Sequence, residues 1–111
     1  MVRQAKLAAP ALEARKQRAD EIAQRVRVTT VDQLLQMQVN IVGIVSVDKI
    51  SSLKAKISAR REVRGVSDGR EPGWIIIRYQ IGRLTGDKRQ TALQKLAAGI
   101  AHDVAWIAAG V

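Results

Sequence analysis

Few residues of this chain could carry out acid–base or nucleophilic chemistry. There is one histidine, His102, which is followed by Asp103, and there is no cysteine. Neighbouring residues on a helix point in different directions, so we expect His102 and Asp103 to be solvated and not to act as a pair. The other carboxylates stand singly among basic residues, without the spacing of a metal site. The sequence therefore predicts a protein that is not an enzyme, with no catalytic residue, no metal site and no cofactor.

Three glycines recur at every fourth position, at Gly65, Gly69 and Gly73. A phosphate-binding loop would need a Gly-Lys-Ser/Thr sequence or the start of a helix directly after such glycines, and neither follows. We interpret these residues as turn glycines, and we predict no small-molecule substrate.

Positive charge is the main functional signal. The 111 residues include 19 Lys and Arg against 10 Asp and Glu, which gives a formal net charge of +9. This balance favours association with nucleic acid, an acidic membrane surface or an acidic protein face. The sequence of residues 28–47 has no Lys or Arg, and the cations are concentrated in residues 1–27, 49–70 and 78–95. We therefore expect binding contacts at the edges of the fold.

The candidate contacts fall into a binding surface and an arm. A basic strand, the loop after it and the N-terminus of the last helix are expected to form the surface, because free backbone N–H groups and the helix dipole suit a phosphate. A basic segment at the N-terminus is expected to contact neighbouring molecules. The candidate residues of the surface are Lys54, Lys56, Arg60, Arg61, Arg64, Arg70, Lys88 and Arg89, and those of the arm are Arg3 and Lys6.

Aromatic residues are too few for a stacking platform. The chain has Trp74, Tyr79 and Trp106 and no phenylalanine. Single-stranded nucleic acid is held by bases stacked on aromatic rings, so duplex or backbone contact is the favoured mode. We interpret Trp74 and Trp106 as core or interface residues.

Pro10 separates a basic arm, residues 1–9, from a single domain, residues 10–111. Proline disfavours helical geometry in the residue before it, so the arm is predicted to be extended. From Pro10 to about Val26 the sequence is rich in Ala, Glu, Gln and Arg, which favours a helix. Leu12 is predicted to belong to its narrow apolar face.

Strands are predicted in the middle of the chain. Alternation of apolar and polar residues predicts strands over 37–47 and 48–61, and residues 62–73 are glycine-rich and predict a long hairpin loop. Residues 74–81 contain three consecutive isoleucines and predict a strand with both faces covered.

Residues 48–61 admit two interpretations. Leu53, Ala55, Ile57 and Ala59 recur every two residues, which favours a strand with a basic outer face. Lysine and alanine favour a helix, so a helix remains the alternative.

A second helix is predicted to begin at Asp87, a good N-cap residue, and to end near Ala109 before Gly110. Its predicted apolar stripe consists of Leu93, Leu96, Ala97, Ile100, Val104 and Ile107. The complete prediction is an α+β fold with an N-terminal helix, a three-stranded antiparallel meander and a C-terminal helix, both helices packed on the sheet.

This order of elements is similar to that of the double-stranded RNA-binding domain. In that family basic residues at the start of the last helix grip phosphates, which the resemblance assigns to Lys88 and Arg89. Ala92 stands where the family has a further basic residue, and Val47-Asp48-Lys49 replaces its Gly-Pro-His loop, so the similarity concerns element order alone. A similar order occurs in small neck and tail-completion proteins of tailed bacteriophages, which assemble as rings around a DNA channel.

These observations favour a structural subunit of a larger nucleoprotein complex, such as a virion neck or tail-completion ring. The expected partners are further copies of the chain, other subunits and the backbone of duplex nucleic acid. A stand-alone duplex-binding protein is the alternative. No apolar run reaches the roughly 18 residues of a membrane span, and Pro10, Glu13 and Arg15 interrupt any signal sequence, so we expect a cytoplasmic or virion location.

Overall fold

A computed structural model describes the backbone of residues 2–110 and the side chains of residues 11–110. Within this range single helices alternate with pairs of strands. Short turns, which include two 3-10 segments, join these elements. The elements are α1 (Val2–Ala23), β1 (Val28–Val31), β2 (Gln36–Asn40), α2 (Ile50–Ser58), β3 (Val63–Asp68), β4 (Trp74–Tyr79) and α3 (Gly86–Ala109).

The strands form one four-stranded antiparallel sheet in the order β1-β2-β4-β3. The α+β class is therefore confirmed, although the sheet has four strands where three were predicted. A helix, α2, separates the second strand from the third. The element order of the double-stranded RNA-binding domain is consequently not the order of this chain.

The core lies between the sheet and the helices. On β2 and β4 alternate residues are buried, and the register places Met37 opposite Ile77 and Val39 opposite Ile75. The apolar stripe of α3 covers these residues, as its spacing predicted. The buried residues of the stripe are Leu93, Leu96, Ile100 and Val104.

Helix α1 packs on α3 through small side chains. Ala19, Ala105 and Ala109 are buried against one another, which lets the two helices approach closely. Leu12, predicted to belong to the buried face of α1, is instead 58% exposed.

Three cations hold the C-terminal end of α3. Arg15 donates a hydrogen bond to the carbonyl of Trp106 at 2.8 Å, and its guanidinium lies 4.0 Å from the centre of the indole ring. Arg18 and Lys49 donate to carbonyls at the same end, at 3.2 and 2.5 Å. Positive side chains are favourable here because the last carbonyls of a helix lack partners and carry partial negative charge.

The favoured strand over residues 48–61 is wrong, because residues Ile50–Ser58 form helix α2. Leu53 and Ile57 are the buried residues of this segment, and Ala55 and Ala59 are exposed. Leu53 and Ile57 are four residues apart, a spacing that fits both a strand and one helical turn. The period of two that favoured the strand therefore depended on Ala55 and Ala59 alone. Alanine is small and a strong helix former, so its position says little about burial.

The neighbouring boundaries also differ from prediction. The strand predicted over 37–47 ends at Asn40, and the chain turns at Gly43, whose φ of +73° suits glycine. The loop predicted over 62–73 contains strand β3, so that only its end forms the hairpin turn.

Helix α1 begins at Val2 and not at Pro10, so the segment predicted to be an extended arm has a helical backbone. Alanine, leucine, lysine and glutamine around Pro10 are strong helix formers, and their summed propensity opposes the effect of one proline. The side chains of Arg3 and Lys6 lie outside the described residues.

One face of the sheet is open. Ile75 and Ile77 are buried against the helices, whereas Ile76 is half-buried and Arg78 is exposed on the opposite face. Within residues 11–110 no helix packs on that opposite face, so the prediction that β4 is covered on both faces is wrong for this part of the chain.

Candidate polyanion-binding surface

A concave pocket of about 490 Å³ lies where the α2–β3 turn meets the β4–α3 loop and α3. Four cations, Arg60, Arg61, Arg64 and Lys95, line this pocket together with one carboxylate, Glu62. We call it the basic pocket. Its other lining residues are Gln80, Ile81, Leu84, Ala92 and Leu96.

Arg60 serves the fold more than the pocket. Its guanidinium forms two hydrogen bonds with the buried carboxylate of Asp103, at 2.6 and 3.0 Å, and a third with the carbonyl of Gly99 at 3.0 Å. Hydrogen bonding to Asp103 raises the pKa of Arg60. A Cβ atom at Gly99 would lie 2.7 Å from the guanidinium carbon, so glycine leaves the space that Arg60 occupies. Asp103 was predicted to be solvated, and its exposure of 4% corrects that prediction.

The remaining cations of the basic pocket are open to a ligand. Arg61, Arg64 and Lys95 are exposed, and among the described residues none of them takes part in an ion pair. Arg64 donates from Nε to the amide oxygen of Gln80 at 3.1 Å, which orients its guanidinium along the pocket rim. Lys88 precedes Lys95 by two helical turns on α3 and therefore lies on the same side of the helix.

Arg89, a second candidate contact, is bound within the fold. It donates two hydrogen bonds to Asp32, at 2.5 and 2.9 Å, and the Tyr79 hydroxyl donates to the same carboxylate at 2.5 Å. The hydrogen bonds from Arg89 and then Tyr79 lower the pKa of Asp32 to about 2. This cluster ties the β1–β2 turn to β4 and to the first turn of α3.

The ionisation of Tyr79 gives a direct test of this cluster, because the chain contains one tyrosine. Burial and then the hydrogen bond to Asp32 raise the pKa of Tyr79 to about 12, against an ordinary value of 10.0. Unfolded tyrosine ionises first, so this residue should contribute stability below pH 10 that is lost as the pH rises through 12. We expect tyrosinate absorbance to titrate near pH 12 in the folded protein, near pH 10 in denaturant and in between for Asp32→Asn. A folded-state midpoint near pH 10 would contradict the cluster.

The structure does not bring the other candidate residues into the basic pocket. Lys54 forms an ion pair with Asp68 at 2.7 Å, and Lys56 is exposed on α2. Arg70 lies at the far end of the β3–β4 hairpin. Lys95 was missed, although its spacing of seven residues from Lys88 on a predicted helix could have identified it.

A second cleft, of about 410 Å³, lies on the open face of the sheet beside that hairpin. The backbone N–H of Gly69 donates to the carbonyl of Trp74 at 2.7 Å and closes the turn. The cleft is lined by Gln38, Gly69, Arg70, Glu71, Trp74 and Ile76.

Neither a metal-ligand cluster nor a membrane-spanning helix occurs within the described range. No group of three His, Cys, Asp or Glu side chains there could hold a metal ion. None of the helices in that part of the chain is long and apolar enough to cross a membrane.

Comparison with known proteins finds no matching family model, no matching curated protein and no matching solved structure.

Proposed function

We propose that this protein is a non-enzymatic subunit of a nucleoprotein assembly and that its basic pocket binds the phosphate backbone of duplex nucleic acid. The observation that carries the proposal is that three exposed cations of the pocket form no ion pair with a described residue. Arg61, Arg64 and Lys95 converge on one concave surface without a carboxylate partner among the described residues. Elsewhere Arg15, Arg18 and Lys49 are bound to carbonyls of the protein itself, and Lys54 and Arg89 are bound to its carboxylates.

Phosphate suits the pocket better than a base does. Arginine presents a planar fork that matches phosphate oxygens, and lysine adds a point charge. None of the residues that line the pocket is aromatic, so a base would have no ring on which to stack. Contact with the sugar–phosphate backbone needs neither sequence readout nor base extrusion.

The absence of enzymatic activity is supported by the positions of the groups that could react. His102 is exposed on α3, and the neighbouring Asp103 is bound to Arg60. The pocket itself contains four cations and one carboxylate, an excess of positive charge that suits an anion.

Exposed apolar residues support the role as a subunit. Leu34 and Leu35 are exposed at the β1–β2 turn, and Val42 and Val47 are exposed in the loop before α2. Leu34 and Leu35 are adjacent in the chain, and neighbouring large apolar side chains at a surface are typical of contact sites. The assembly that we propose is a virion or another complex that contains nucleic acid.

Salt dependence tests the proposed function. Four phosphate contacts, through Arg61, Arg64, Lys88 and Lys95, should release counterions, so raising the salt concentration fourfold should weaken duplex binding by about 100-fold. Fluorescence polarisation of a labelled duplex at about 50 and 200 mM salt measures this change. Light scattering on the same samples, with and without duplex, reports whether copies assemble. Duplex binding that is absent or insensitive to salt would refute the proposal.

A further inference from the structure

Strand β4 presents a row of three side chains on the open face of the sheet. Trp74, Ile76 and Arg78 alternate with the buried residues of the strand, and successive members of the row lie roughly 7 Å apart. The sheet register places Asn40 beside Trp74 and Gln38 beside Ile76. An aromatic ring and an isoleucine are thus flanked by amides on a face that no other described element covers.

Of the two sequence-based interpretations of Trp74, core or interface residue, the structure excludes the core. It is half-buried and lines the 410 Å³ cleft, on the side of the sheet opposite Ile75 and Ile77. Trp106 differs, because it lies in the α1–α3 interface under the guanidinium of Arg15. A tryptophan on an open sheet face has a ring surface that a planar ligand can cover.

The charges near Trp74 favour an anionic ligand. Arg70 lines the same cleft, and Arg78 follows on the same face, with its guanidinium lying across Gly65. One carboxylate, Glu71, is also part of the cleft wall. The volume lies within the range of cavities that hold small planar ligands, and the Gln38 amide offers both a donor and an acceptor.

We propose that this cleft binds an unpaired nucleotide of single-stranded nucleic acid, with its base stacked on Trp74. The Gln38 amide bonds to the base edge, and Arg70 and Arg78 contact the flanking phosphates. The choice of nucleic acid as partner rests on the proposed function, but the site is separate from the basic pocket, which lies at the other end of the β3–β4 hairpin. The protein would therefore hold duplex at one site and an unpaired base at the other.

Tryptophan fluorescence provides the test, because the chain has two tryptophans. In the variant Trp106→Phe, Trp74 is the sole fluorescent indole, and oligo(dT) should quench it. In polarisation assays with labelled oligo(dT), Trp74→Leu should lower affinity by about 5- to 150-fold, which corresponds to the loss of one stacked base. Trp106→Phe should leave that affinity unchanged, and Trp74→Leu should leave duplex affinity unchanged.

The outcomes separate the cleft from the basic pocket. The cleft proposal is overturned if oligo(dT) does not quench Trp74 and if Trp74→Leu binds oligo(dT) as tightly as the wild-type protein does. Duplex binding in the same experiment leaves the proposed function in place. Quenching of Trp74 without duplex binding overturns the duplex proposal and supports the cleft. If the wild-type protein binds neither the duplex nor oligo(dT), both the duplex proposal and the cleft proposal are overturned. If Trp74→Leu does not fold, quenching in Trp106→Phe and the oligo(dT) affinity of Arg70→Ala decide the question.

Discussion

Changing Arg61, Arg64 and Lys95 together to glutamate should weaken duplex binding on the order of 100-fold or more at low salt. These residues are the exposed cations that line the basic pocket. Each substitution removes a phosphate contact and places a negative charge at the same point. The three side chains are exposed, so we expect the variant to fold with a melting temperature near that of the wild-type protein.

A matched control separates a local site from general charge. Lys16, Arg25 and Arg27 are exposed, and Arg27 precedes β1 at the sheet edge opposite β3. Three reversals change the net charge by −6, from +9 to +3, in either variant. We expect the control to lose less than about tenfold in duplex affinity, because it changes only long-range attraction. Equal losses in the two variants would show that the pocket has no special role.

The second large effect concerns stability. Arg60→Ala should lower the free energy of unfolding by about 3 kcal/mol, because it leaves the buried Asp103 carboxylate without its partner. The Arg60 side chain is 32% exposed, so water replaces part of the lost interaction, and the cost falls at the lower end of the range for buried pairs. For a domain of this size the melting temperature should fall by more than about 10 °C.

Two further variants test the cause of this loss. Lys56→Ala, on the exposed side of α2, should change stability by less than about 0.5 kcal/mol. The double variant Arg60→Met, Asp103→Leu should recover most of the stability lost by Arg60→Ala, because two apolar groups leave no buried charge unpaired. Urea unfolding monitored by circular dichroism measures all three changes. An Arg60→Ala variant as stable as the wild-type protein would contradict the buried pair.

The ion pair also changes the meaning of one candidate contact. Arg60 was grouped with Lys54 and Lys56 among the candidate contacts of the binding surface. In the structure Arg60 joins the α2–β3 turn to α3 and Lys54 is paired with Asp68. Reversal at Arg60 should therefore unfold the protein, and Arg61 is the neighbouring position at which binding can be tested.

The α+β class and helix α3 could be predicted because their signals are long. The stripe of α3 repeats over several turns, so the burial of Leu93, Leu96, Ile100 and Val104 followed from spacing alone. The short strands were harder to predict from the sequence. Strands β1 and β3 have four and six residues, and Val28–Val31 carries no alternation that distinguishes it from a loop. The pairing that makes them strands comes from the neighbouring strands of the sheet.

The site was predicted in part, since it depends on which cations are neutralised by the fold. Arg61 and Arg64, two of the candidates chosen from the sequence, line the basic pocket, but the sequence could not show that Arg89 binds Asp32. One signal for the buried pair was present. Asp103 follows the buried Leu96 by seven residues, which places it at the edge of the apolar stripe and one turn after a glycine within the helix.

The salt dependence of duplex binding in the two charge-reversal variants tests the central claim most directly. With four phosphate contacts, the slope of log affinity against log salt concentration should be about −3.6 for the wild-type protein. It should fall to about −1 when Arg61, Arg64 and Lys95 are glutamate, because only the Lys88 contact remains. The control at Lys16, Arg25 and Arg27 should keep the wild-type slope. Equal slopes in the two variants would contradict binding at the basic pocket.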